Sequence, residues 1–152
     1  MASILAWLIA LPRRRKRLLL ATIDFLILLF ALWLSYSLRF GRPFIPNQTQ
    51  AVVMALAPAI AIPILVQFGF YRAVIRYVSE AMLWSIGKAM AVAVPVWLVI
   101  VFMTETRGGA GVPRSVPVIY FAVGTVLLAF SRFAARRLLQ QAFDAATASK
   151  RI

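Results

Sequence analysis

The sequence predicts an all-α membrane protein with four transmembrane helices, and three observations carry this. Hydrophobic residues make up 63% of the 152 and charged residues only 14%, against about half and about a quarter in a soluble domain. The apolar residues arrive in four blocks, each near the roughly 20 residues that cross about 30 Å of hydrocarbon. The cations gather at the ends of those blocks, where a helix leaves lipid for headgroups.

Residues 1–17 read as an interfacial segment and a basic run. A short apolar stretch with Trp7 comes before Arg13, Arg14, Arg15, Lys16 and Arg17. A secretory signal has its positive charges before the apolar run. The reversed order points to a segment lying in the interface rather than a cleaved leader. The first span is expected over 18–38. It carries Asp24 and closes at Arg39, Gly41 and Pro43, a basic and then helix-breaking exit. A polar turn over 46–50 leads into a second span over 51–70, whose Pro58 and Pro63 a lipid-embedded helix tolerates.

Between the second and third spans, Tyr71, Val74, Ile75 and Val78 recur at i, i+3, i+4, i+7, with Arg72, Arg76 and Ser79 on the other side. That pattern predicts a short interfacial helix. The third span covers 81–103 and contains Lys88 and Pro95. The glycine-rich loop over 104–111 lacks the strand-turn-helix setting of a phosphate cradle and is expected to be a flexible connection. The fourth span covers 116–135. Ser115 starts the helix, and Pro117 falls in the first turn, where its missing N–H costs nothing. Residues 136–152 are expected to be a cytoplasmic juxtamembrane helix and a small polar tail with no fold of its own.

The net charge is +13. Because the cations cap apolar blocks rather than line a water-facing surface, the implied partner is a bilayer with anionic headgroups and not nucleic acid. There is no cysteine and no histidine, so disulfides, thiol catalysis and the usual zinc sites are excluded. No catalytic, cofactor or metal set is legible.

Orientation follows from the distribution of Lys and Arg. One side collects 13 of the 17 cations, among them Arg72, Arg76, Lys88, Arg132, Arg136 and Arg137. The other holds Arg39, Arg42, Arg107 and Arg114. Both termini are therefore expected in the cytoplasm, with an even number of spans, in a bacterial inner (plasma) membrane.

Two charges lie inside spans at similar depth. Asp24 is six residues, roughly 9 Å, into the first span, and Lys88 is seven residues into the third. Arg132 lies one turn inside the end of the fourth. An unpaired charge at such depth costs about 3 kcal/mol or more. Asp24 is thus expected to face the bundle interior and pair with Lys88 or with Arg132, as a structural pair that sets helix register rather than as a proton or ion relay, which would need an acidic or His partner to pass the proton on. Lys88 has the alternative of snorkelling outward. Anionic-lipid contacts are expected from Arg13, Arg14, Arg15, Lys16, Arg17, Arg72, Arg76, Arg136 and Arg137. A polyprenyl-phosphate lipid is one candidate partner, and a homo-oligomer is expected.

Several short motifs occur in order: Leu11-Pro12-Arg13-Arg14-Arg15-Lys16-Arg17, Ser37-Leu38-Arg39-Phe40-Gly41, Gly69-Phe70-Tyr71-Arg72-Ala73-Val74-Ile75-Arg76-Tyr77, Val112-Pro113-Arg114-Ser115-Val116-Pro117 and Ser131-Arg132-Phe133-Ala134-Ala135-Arg136. Together they resemble the N-terminal membrane domain of the membrane-bound nucleotide-sugar 4,6-dehydratases, the CapD-like and WbpM-like polysaccharide-biosynthesis proteins. The resemblance spans about residues 11–140. It implies four membrane helices ahead of cytoplasmic domains that use NAD to act on UDP-N-acetylglucosamine for surface polysaccharide or lipopolysaccharide. These 152 residues end where those domains would begin, and neither a G-x-G-x-x-G element nor a Tyr/Lys catalytic set maps onto them. The resemblance therefore implies an anchoring and oligomerising module, not an enzyme in itself. The competing reading is a small four-helix transporter, or a polyprenyl-lipid flippase or binding protein.

Overall fold

The computed structural model describes residues 13–69, 80–105 and 111–149. Within them the chain forms four α-helices: α1 (Arg13–Phe40), α2 (Gln48–Gln67), α3 (Glu80–Glu105) and α4 (Val116–Ser149). Each contains a stretch long and apolar enough to cross a membrane, namely Arg17–Phe40, Gln48–Gln67, Met82–Met103 and Val116–Arg137. Four such helices make this a multi-pass, all-α membrane protein. The expected interfacial helices over 1–12 and 70–79, and the centre of the glycine loop, lie outside the described residues.

The helices pack as a closed square. α1 touches α2 and α4, and α3 touches α2 and α4, so α1 and α3 stand on a diagonal. Chain direction alternates, which brings the start of α1 and the second half of α4 to one end of the bundle. That arrangement gathers the exposed Arg15, Arg17, Arg136 and Arg137 at the end near the termini, and Arg39, Arg42 and Arg114 at the other.

The core follows from helical spacing. Leu28, Leu32, Leu65, Ile86, Met90, Trp97, Tyr120 and Leu128 are fully buried, while Leu26, Phe30, Val99, Phe102, Val126 and Phe130 face outward. Outward apolar side chains are what lipid as solvent allows. α3 and α4 approach closely at Gly124, where an added Cβ would stand 2.8 Å from Met90 Cε. Two hydroxyls inside the spans are satisfied within their own helix: Ser35 Oγ donates to Ala31 O at 2.6 Å and Thr125 Oγ1 to Phe121 O at 2.7 Å.

Local chemistry shifts several boundaries from the sequence expectation. The second helix begins at Gln48, inside the stretch expected as a turn. Asn47 forms a capping box there: its Oδ1 accepts from Gln50 N, and Gln50 Oε1 accepts from Asn47 N. The same helix ends at Gln67 rather than 70, because Gly69 takes φ +73°, a conformation that turns the chain out of the helix. The loop before α2 is pinned to α1. Trp33 Nε1 donates to Phe44 O at 2.9 Å, Phe44 N donates to Ser37 Oγ at 3.2 Å, and the Phe44 ring stacks on Tyr36 at 4.6 Å.

The basic run does not stand apart from the first span, since α1 is continuous from Arg13. The tail from 145 is helical through Ser149, contrary to the expectation of no fold there. Its Ala145, Ala146 and Ala148 extend a helix that is already nucleated. Ser115 supplies its backbone carbonyl to Ile119 N at 3.1 Å. Its hydroxyl has no hydrogen-bond partner among the described residues, so it does not cap by side chain as expected.

Candidate functional site

The most informative polar feature is the contact that joins the first helix to the last. Asp24 lies on the inner face of α1, one turn before Leu28, and is fully buried. Arg132 lies one turn after Leu128 on α4 and is 5% exposed. The antiparallel packing of the two helices brings these turns to one level, and Arg132 Nη2 stands 2.5 Å from Asp24 Oδ2. The pair is a charge-assisted hydrogen bond across a sequence separation of 108 residues.

Lys88 does not belong to it. The structure places Lys88 exposed on the outside of α3, one turn beyond the exposed Trp84. The reason is geometric. α3 is diagonal to α1, and Lys88 follows Gly87 on the lipid side of its helix while Ile86 and Ala89 take the core side. A lysine there carries its ammonium along its own aliphatic stem toward the headgroups. Depth along a helix places two charges at one level. Which of them meets the acid depends on rotation and on which helices are neighbours.

The remaining candidate residues divide by position. Arg15, Arg17, Arg136 and Arg137 are exposed near the termini. The Arg137 guanidinium stands over the Phe133 ring, 5.0 Å from its centroid. Arg13, Arg14 and Lys16 fall in the first turns of α1. Arg72 and Arg76 lie outside the described residues. The structure therefore gathers Arg15, Arg17, Arg136 and Arg137 at one end.

The opposite half of the core holds a neutral counterpart, built on Trp97 and Tyr120, which the sequence offers only as interfacial or packing aromatics. Trp97 Nε1, on α3, donates to Val53 O of α2 at 3.0 Å, and the indole lies 6.0 Å from the Tyr120 ring at a tilt of 60°. A tryptophan between Pro95 and an apolar run carries no mark of such a contact in sequence, because a helix carbonyl is invisible there. Among the described residues no cluster of His, Cys, Asp or Glu could hold a metal ion. The arrangement holds helices together. No family model, curated protein or solved structure matches the chain.

Proposed function

We propose that the chain is the membrane-anchoring and oligomerising domain of a bacterial nucleotide-sugar 4,6-dehydratase of polysaccharide biosynthesis. It sits in the inner membrane with both termini in the cytoplasm. Catalysis, and the NAD that such catalysis needs, belong on this reading to cytoplasmic domains outside these residues. The order of short motifs described above supports the family, and the excess of cations at the end carrying the termini supports the orientation.

The observation that carries the reading is the shape of α4. It runs for 34 residues, Val116–Ser149, where roughly 20 cross the hydrocarbon. The surplus of about a dozen residues is roughly 18 Å of helix, an arm suited to holding another domain near the headgroups. The bundle itself is closed by packing and by the Asp24–Arg132 pair, which suits a scaffold. The transporter reading draws on the same buried acid. An acid engaged with an arginine beside no second carboxylate in the described core favours a structural role over a proton relay.

Orientation is tested by fusing green fluorescent protein or alkaline phosphatase after Ile152. A fluorescent, phosphatase-negative pair of fusions is expected. Active phosphatase at that position would refute a cytoplasmic arm and, with it, the anchoring role.

A further inference from the structure

On the lipid-facing side of the α1–α4 seam lies a groove of about 350 Å³, with Ile27, Leu127 and Ser131 toward its floor and the more exposed Leu26, Phe30 and Phe130 as its walls. Ser131 is the small residue of the set, and its hydroxyl is already spent on Leu128 O at 2.8 Å. The groove therefore offers apolar surface and no open polar contact. Its position relative to the basic end follows from helical register. Arg137 lies seven residues after Phe130, two turns along the same line of α4. Arg15 lies eleven residues before Leu26, three turns along the same line of α1. Each outer wall of the groove thus has an exposed arginine in line with it, on the side toward the termini. Side chains on a helix lean toward its N-terminus, so Arg137 leans back toward the groove, with its guanidinium over Phe133, whereas Arg15 starts away from it and reaches the mouth only by its long, flexible stem.

We infer that this seam is a binding site for one anionic glycerophospholipid. Its phosphate lies between Arg15 and Arg137, and one acyl chain lies in the groove beneath them. The charge pattern selects the occupant. Two cations at the mouth and none along the floor match a molecule with a negative head and an apolar tail, whereas a zwitterionic lipid brings its own cation to the same place. The Asp24–Arg132 pair lies at the level of the groove but inside the bundle, so it holds the two walls together without competing for the phosphate. The inference rests on the proposal that the basic end faces the cytoplasm. The reporter fusions test that proposal separately, so failure of one is distinguishable from failure of the other.

The experiment uses the full chain in bilayers of phosphatidylcholine with phosphatidylglycerol as the minor component, with retained lipid counted by native mass spectrometry. The wild-type chain is expected to hold one phosphatidylglycerol, enriched on the order of tenfold over its share of the bilayer. The double variant Arg15→Gln/Arg137→Gln, at two exposed positions, should bring that enrichment close to one. Ser131→Leu, which fills the floor and leaves the charges alone, should lower retention of both lipids. Equal retention of the two lipids by the wild-type chain overturns the inference, and this arm needs no variant to fold. Enrichment that survives the double variant, or retention unchanged by Ser131→Leu, overturns it as well.

Discussion

Two seams of the bundle are fastened by different chemistry. Between α1 and α4 the fastening is ionic: a buried carboxylate meets a buried guanidinium. Between α2 and α3 it is neutral: an indole N–H meets a helix carbonyl. Both bridge helices at buried positions, yet they respond differently to the loss of one partner. A carboxylate that loses its guanidinium in a low-dielectric interior keeps its desolvation penalty without the attraction that offset it. A helix carbonyl that loses an extra donor keeps its place in the helical ladder, because it has two lone pairs and needs only one filled. The lesson is that an ionic fastening contributes little net stability when intact and costs much when halved, whereas the neutral one costs about what it contributes.

The largest effect follows from halving the ionic seam. Arg132→Leu should lower stability by about 3–5 kcal/mol, read as a fall in the SDS fraction needed to unfold the chain in mixed micelles. Asp24→Asn added to that background should restore most of the loss, because it removes the stranded charge. A single variant as stable as the wild type would show that the carboxylate is held by other means. On the neutral seam, Trp97→Phe deletes the donor and leaves a smaller aromatic ring. It should cost about 1–2 kcal/mol in the same assay. A loss as large as that of Arg132→Leu would erase the contrast between the seams. The smallest effect belongs to the outside of α3. Lys88→Leu should change stability by no more than about 0.5 kcal/mol in either direction, the range expected for surface positions. A loss of several kcal/mol would place Lys88 in the core after all.

Much of the fold was legible because lipid imposes a length and a composition. Four apolar blocks of the right length forecast four helices, and the structure has them. The helix boundaries were less legible. Asn47 and Gln50 carry a capping box, which is readable in principle from N-x-x-Q, but the polar run around them looked like a turn. The end of α4 was missed because a small, polar composition suggests a loose tail, whereas alanines joined to an existing helix simply lengthen it. In the candidate site, Asp24 stood out as an acid in an apolar run, and Arg132 and Lys88 stood out as cations at matching depth. Choosing between them lay beyond the sequence, as did the Trp97 contact. Both depend on which helices are neighbours and how each is rotated.

The sequence by itself determined that this chain carries four helices fit to cross a bilayer among the described residues, because hydrocarbon thickness and the cost of unpaired backbone groups leave few other outcomes for such blocks. It also determined where the cations gather, since their order along alternating helices assigns each cluster to one end. Only the tertiary structure decided that α1 closes against α4, that Arg132 rather than Lys88 answers Asp24, and that a groove runs between Phe30 and Phe130. The physical reason is that lipid treats all apolar faces of a helix alike. The inward face is therefore chosen by side-chain packing between neighbours, a property no single helix carries.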